Sequence, residues 1–216
     1  MEKVWKPVPD VEELKYHGTP EKPDIKIFVS HRIDLDSETI DNPLYIPVRC
    51  GAVYDERENV TMLGDDTGDN ISEKRNSFCE LTVLYWAWKN VKADYYGLCH
   101  YRRYISFADQ SYRPSDDKSG FLVVNELTET SEKKYELLNE EKIREEICKY
   151  DILTTPPEDI HFSWDGYHKN MYALCEHRIR DFDMNGVNKF INIVKEKYPE
   201  YAQDVDRYFN GHYAKY

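Results

Sequence analysis

The sequence has no run of about 18 apolar residues that could cross a bilayer, no CxxC pair and no surplus of basic side chains. Each absence removes a class of function. Lys and Arg number 29 against 41 Asp and Glu, a net charge of −12. That balance excludes general nucleic-acid binding, which needs a basic surface against phosphates. It also disfavours electrostatic attachment to an anionic membrane. The cysteines (Cys50, Cys79, Cys99, Cys148 and Cys175) are widely spaced and odd in number. They fit neither a secreted disulfide scaffold nor a Cys/His cluster with zinc spacing. Buried thiols in a reducing compartment are the natural reading. The opening residues lack the apolar core of a signal peptide, which predicts a soluble, cytoplasmic protein. GxGxxG, GxxxxGK[ST] and GxSxG are all missing, so dinucleotide, P-loop and serine-hydrolase readings lose their usual warrant. Internal repeats and low-complexity segments are absent too.

What is present is a globular composition: 216 residues, 40% hydrophobic, 14% aromatic, with 18 tyrosines. This length suits one domain with a substantial core. Residues 1–23, charged and carrying Pro7, Pro9, Pro20 and Pro23, read as a lead-in. Asp24–Ser30 is the first clear strand, delivering His31 and Arg32 at its end. Pro43–Val48 is extended, with Pro47 suggesting an edge or strand-end position. Phe121–Val124 and Tyr150–Thr155 read as further strands, separated by charged surface helices over 126–149. A helix over Gly166–Asp181, a turn at Met184–Gly186 and a helix over Val187–Lys197 follow, the last with Phe190, Ile191 and Val194 on its core face. Strands alternating with helices predict a three-layer α/β fold with a largely parallel sheet.

The chain is organised around Gly64–Ile105. Its loop GDDTGDN carries Asp65, Asp66, Asp69 and Asn70 between glycines. Clustered acids of this kind suit a hard cation or sugar hydroxyls, though a solvated turn has the same composition. Ser72, Asn76 or Ser77 could cap the following helix, and Lys74 and Arg75 lie at its start, where backbone N–H groups favour an anion. Leu81, Leu84, Tyr85 and Trp88 fall at i, i+3, i+4 and i+7 and predict the buried helical face. Tyr95–Cys99 then reads as a buried strand running into His100, Tyr101, Arg102 and Arg103. In open α/β sheets ligands bind beyond the carboxyl ends of strands, which puts the candidate site here. A regular strand would send His100 and Arg102 to one side and Arg103 to the other. An ion-pair network with the acidic loops is the bland alternative.

The segments GDDTGDNIS, NSFCELTVLYWAWKN and ADYYGLCHYRRYI together resemble the core of an uncharacterised bacterial domain family of capsular and exopolysaccharide biosynthesis proteins, regarded as glycosyltransferase-like. DIKIFVSHR, YIPVRCGA and YDILTTPP add weaker support. The resemblance covers residues 24–216 and implies a Rossmann-like GT-A nucleotide-sugar fold. It implies a hexosyltransferase taking a nucleotide-sugar donor, a UDP-sugar first, and a glycan or lipid-linked glycan acceptor, in the cytoplasm or peripheral at the inner face of the membrane. Such enzymes usually hold a divalent metal, Mn or Mg, on an Asp-x-Asp strand end. Here that place carries His100-Tyr101-Arg102, which implies donor diphosphate bound by His100, Arg102 and Arg103 without a metal. His31, Arg32, Asp65, Asp66, Asp69, Asn70, Tyr95 and Tyr101 become substrate-binding candidates, with Trp86 as a further ring suited to a sugar-facing cleft. Asp165, His168 and His177 are candidates for a base. The family usually continues past FNGHYAKY, so a C-terminal truncation is expected. Competing readings are a metal-dependent hydrolase or phosphotransferase built on the Asp-rich loop, and a non-catalytic nucleotide-sugar or glycan-binding module.

Overall fold

The computed structural model describes residues 5–108, 122–123, 127–154, 158–163, 166–178 and 183–214. The chain divides into two compact units, residues 1–115 with 121–153, and residues 116–120 with 154–216.

The first unit is built on a sheet of β1 (Ile25–His31), β2 (Tyr45–Arg49), β3 (Leu63–Gly64), β4 (Tyr95–His100), β5 (Arg103–Tyr104) and β6 (Leu122–Val123). The order is β3-β2-β1-β4-β5-β6; the first four strands are parallel and the last two antiparallel. Every residue of β1 is buried, as expected for a central strand covered on both faces. Its side chains alternate: Ile25, Ile27 and Val29 enter one core with Tyr45 and Tyr104, and Phe28 enters the other with Trp86 and Val83. Lys26 is buried on the Phe28 side, its Nζ donating to both Asp24 carboxylate oxygens and to the Lys15 carbonyl. The lead-in is thus tied to the central strand.

Pro47 sits inside β2, not at a sheet edge. Leu44 O accepts from Ile27 N, whereas Arg49 O accepts from Asp65 N. By alternation Pro47 points away from β1, toward a side where β3 pairs only from Val48 onward. The missing N–H therefore costs no ladder bond.

α1 (Arg75–Phe78) and α2 (Leu81–Asn90) cover one face, α3 (Glu129–Lys134) and α4 (Glu140–Ile147) lie in the other layer, and Leu137 and Ile143 fill the first core. The layered, mostly parallel α/β architecture expected from the sequence is the one observed. The helix rotation differs. The buried face of α2 is Thr82, Val83, Trp86 and Ala87, while Leu81 and Trp88 are 52% and 63% exposed. Leu81 and Trp88 turn away from the sheet, while Trp86 faces it. Thr82 is drawn inward by a 2.6 Å bond to Asp65, and Trp86 by its indole N–H to Thr67 Oγ1 at 2.9 Å. Trp88 is instead covered from outside by Lys89, 3.9 Å above its ring. The caps expected at Asn76 or Ser77 are not used; α1 and α2 are separated by Cys79 at φ 46°.

Residues 150–154 form no strand, and Ile152 is 78% exposed. An apolar run becomes a strand only where a neighbouring strand is available to pair with it.

The second unit contains β7 (Glu158–Asp159), β8 (Phe162–Ser163), β9 (Gly166–Tyr167), α5 (Met171–His177), α6 (Met184–Lys197), α7 (Ala202–Asn210) and β10 (Tyr213–Ala214). The helix expected from Gly166 starts only at Met171, where Asn170 Oδ1 accepts from Ala173 N. The turn expected at Met184–Gly186 is the first turn of α6, because the Asp183 carboxylate caps Asn185 N and Gly186 N. Phe190 is exposed, and the core forms from Ile160, Met171, Leu174 and Cys175 with Met184, Val187 and Phe209. The helix α7 and strand β10 were not anticipated.

Asp65 tests the packing of the first unit. Asp65→Ala leaves two backbone N–H groups and two hydroxyls buried without their acceptor, and is expected to cost about 3 kcal/mol or more in chemical denaturation. Asp65→Asn should cost less, because its amide oxygen keeps one backbone N–H and one hydroxyl, and the other hydroxyl can turn to accept from the amide NH2, leaving one backbone N–H without an acceptor.

Candidate active site

The sheet register builds the site. His31 lies opposite Arg49, Arg49 opposite Gly64, and Ser30 opposite His100. The carboxyl ends of the four parallel strands therefore form one row, the place where such sheets bind ligands.

At the end of β4 the chain does not run straight on. His100 pairs with Arg103 across a two-residue turn at Tyr101–Arg102, and β5 returns antiparallel. Directly opposed residues of an antiparallel pair share a face, so His100 is coupled to Arg103, not set apart from it by alternation. The electrostatics agree: Arg103 bears more strongly on His100 than Arg102 or Arg32 does.

His100 Nδ1 accepts the Arg102 backbone N–H at 3.2 Å, which leaves the proton on Nε2. That nitrogen lies 3.7 Å from Glu80 Oε1. Burial lowers the His100 pKa; Glu80 pushes it the other way, and Arg103, Arg102 and Arg32 push it lower still. At neutral pH the ring is a neutral donor. Tyr101 packs against it, centroids 4.3 Å apart, and the Arg102 guanidinium lies 5.1 Å from the Tyr101 ring centroid. Arg32 Nε donates to Asp34 at 2.7 Å, a pairing that raises the Arg32 pKa further.

His31 is 1% exposed. Its Nδ1 is 2.7 Å from Ser37 Oγ, and its ring centroid is 6.0 Å from that of Tyr101. Among the described residues, its Nε2 is the buried side-chain polar atom without a hydrogen-bond partner. Burial, then repulsion from His100, lowers its pKa from 6.5 to about 4.

The Asp-rich loop has a different arrangement. Asp65 has no exposure; its carboxylate accepts from Gly51 N and Ala52 N at 2.9 Å, Ser72 Oγ at 2.5 Å and Thr82 Oγ1 at 2.6 Å. Asp66 pairs with Lys6 of the lead-in. Asp69 is exposed and accepts from Tyr85 Oη at 3.2 Å, and Asn70 bonds the loop's own backbone. Among the described residues these acids do not gather as metal ligands. The loop fits a clasp within the first unit and does not fit the divalent ion of an Asp-x-Asp site.

Tyr95 begins β4, about 16 Å from His100 at roughly 3.3 Å per residue. There it lines a cavity of ≈ 230 Å³ with Ile25, Tyr45, Phe107 and Ile147, away from the cluster. Trp86 is fully buried in the core. His168 is buried and His177 exposed in the second unit, ring centroids 5.0 Å apart; Asp165 lies outside the described residues.

Sequence reasoning did not single out Glu80. Nothing local marks it; only the approach of the α2 start to the end of β4 gives it His100 as a neighbour.

A family model described as a domain of unknown function (DUF4422) matches residues 26–216. The chain belongs to this family. It is also similar to the solved apo structure of WbbM, a bifunctional glycosyltransferase, with 33% identity and a TM-score of 0.77 over 89% of the chain. The chain spans 32% of that protein's length. No curated protein sequence matches. Among the described residues, no helix is long and apolar enough to cross a membrane.

The buried His31 makes stability pH-dependent with a definite sign. Its depressed folded pKa contributes stability above pH 6.5 that is lost as the pH falls toward about 4. The loss is up to about 3 kcal/mol at 1.36 kcal/mol per unit. Denaturation midpoints between pH 7 and 4 should fall more steeply for the wild type than for His31→Gln; equal slopes would remove His31 as the cause.

Proposed function

We propose that the chain is a glycosyltransferase that moves a sugar from a nucleotide-sugar donor, a UDP-sugar first, to a growing capsular, exopolysaccharide or O-antigen-type glycan. The observation that carries this reading is the convergence of Arg32, Arg102 and Arg103 on His100 at the carboxyl ends of the parallel strands. A cluster of arginines at one strand end in a chain of net charge −12 is a selective feature, suited to a polyanion such as a diphosphate. The similarity to a bifunctional glycosyltransferase supports the same chemistry.

As the glycosidic bond to phosphate breaks, negative charge grows on the leaving diphosphate. Arg103 and Arg102 hold its oxygens through planar guanidinium forks that never lose their charge. Neutral His100 donates its Nε2–H to the same oxygens, and His31 Nε2 offers a hydrogen-bonding atom from the buried side. Preorganised donors in this position take the part that a divalent ion plays elsewhere. Arg32 would exchange its Asp34 partner for the ligand, with Tyr101 beneath. Asp66, beside Gly64 at the end of β3, could meet sugar hydroxyls, with Asp65 holding the loop in place; Asp69, tied to Asn90 at the far end of α2, and the buried Asn70 amide serve the loop itself.

Calorimetric titration with UDP, TDP and GDP, each with manganese or with chelator, tests this. One nucleotide should bind with micromolar affinity, unchanged by chelator. Losing one charge-assisted contact should weaken binding about 10–100-fold in Arg103→Ala and in Arg102→Ala. Absence of binding would sink the donor-site assignment, and dependence on manganese would sink the replacement of metal by arginine. Binding without turnover or donor hydrolysis would instead favour a binding module.

A further inference from the structure

The second unit contains a side-chain cluster distinct from the residues assigned to the donor site. β7 and β10 pair antiparallel with Asp159 opposite Tyr213, and Ile160 N donates to His212 O at 2.8 Å. This pairing brings Asp159, His161 and His212 together, with one ligand atom of each within 4.8 Å of the others. His161 Nδ1 stands 3.1 Å from Asp159 Oδ1, and the Asp159 carboxylate also accepts the His161 backbone N–H at 3.0 Å. The His161 ring is stacked between Tyr167, centroids 5.6 Å apart, and His212, 4.0 Å apart.

We propose that Asp159, His161 and His212 form a binding site for a divalent transition-metal ion of the zinc type. Two imidazoles and one carboxylate are borderline ligands that favour zinc, cobalt, nickel or copper; magnesium and calcium prefer all-oxygen shells. Bonds of about 2.0–2.1 Å in tetrahedral geometry require ligand atoms about 3.3 Å apart. The Asp159–His161 spacing already meets that requirement. An ion bound at His161 Nδ1 displaces any proton that nitrogen carries, and that proton leaves to solvent. Closing onto His212 needs side-chain rotation only, because the strand pairing already holds the backbones. Tyr167 fixes the plane of His161, which lowers the ordering cost of binding. Asp159 is exposed and both histidines are half-buried, giving an entry path and leaving a fourth position for water. The ion would fasten the β10 segment to β7, a clamp on the second unit independent of the donor-site reading.

The local sequence hides this site. Asp159-x-His161 is a fragment of a ligand set, and the third ligand arrives only through β7–β10 pairing.

The test is zinc titration of the full chain by calorimetry, with magnesium in parallel. One equivalent of zinc should bind, at least ~100-fold more tightly than magnesium. His161→Ala and His212→Ala should each lose that binding, and the zinc-induced rise in melting temperature should vanish with it. His177→Ala, which alters the neighbouring His168–His177 pair, should keep both. Retention of tight zinc binding in His212→Ala, or its loss in His177→Ala, overturns the proposal. Should either ligand variant fail to fold, histidine ring signals of the wild-type chain are followed by NMR during the titration. Zinc must then shift two rings, and a shift of none, or of a different number, also overturns it.

Discussion

The first unit depends on a buried carboxylate. Asp65 collects the backbone N–H groups of Gly51 and Ala52, the Ser72 hydroxyl and the Thr82 hydroxyl. These four donors belong to the turn after β2, the segment before α1 and the first turn of α2. A charge without exposure is tolerable only when its lone pairs are filled in this way. Filling them fixes how three pieces of chain meet at the strand ends. Gly51 takes part through a left-handed backbone at φ 70°, and a side chain there would run into Arg75. The same carboxylate sets the rotation of α2, because Thr82 must face it. Leu81 and Trp88 are then left outside, and Trp86 fills the core beneath.

A rigid row of strand ends is the platform for the charged groups. Parallel pairing ranks His31, Arg49, Gly64 and His100 along one edge. The hairpin at Tyr101–Arg102 then folds Arg103 back beside His100, and the aromatic ring of Tyr101 packs near both imidazoles and the Arg102 guanidinium. The net charge of the chain is −12, and the arginines gathered at this edge run against that balance. Burial keeps both histidines neutral beside these arginines. Neutral donors and permanent cations thus stand at one strand end, a combination suited to an anion whose charge grows during reaction.

The sequence alone determined the α/β class, the buried central strand and the position of the cationic cluster at a strand end. Those features rest on local signals: a continuous β-branched and aromatic run from Ile25 to Val29, and apolar Tyr95–Cys99 ending in His100, Arg102 and Arg103. Tertiary structure decided the rest. Local pattern could not tell that Asp65 turns inward while Asp66 and Asp69 meet other partners, because the deciding donors come from three separate segments. It misplaced the buried face of α2, because the partner of Thr82 outweighed the bulk of Leu81 and Trp88. It made a strand of Tyr150–Thr155, whose described residues 150–154 pair with no described strand, and put a turn where the Asp183 cap starts a helix. It coupled His100 to Arg102 because a regular strand alternates, whereas the chain turns and opposes His100 to Arg103. Periodicity and charge are properties of neighbours along the chain; pairing, desolvation and the filling of lone pairs are properties of neighbours in space.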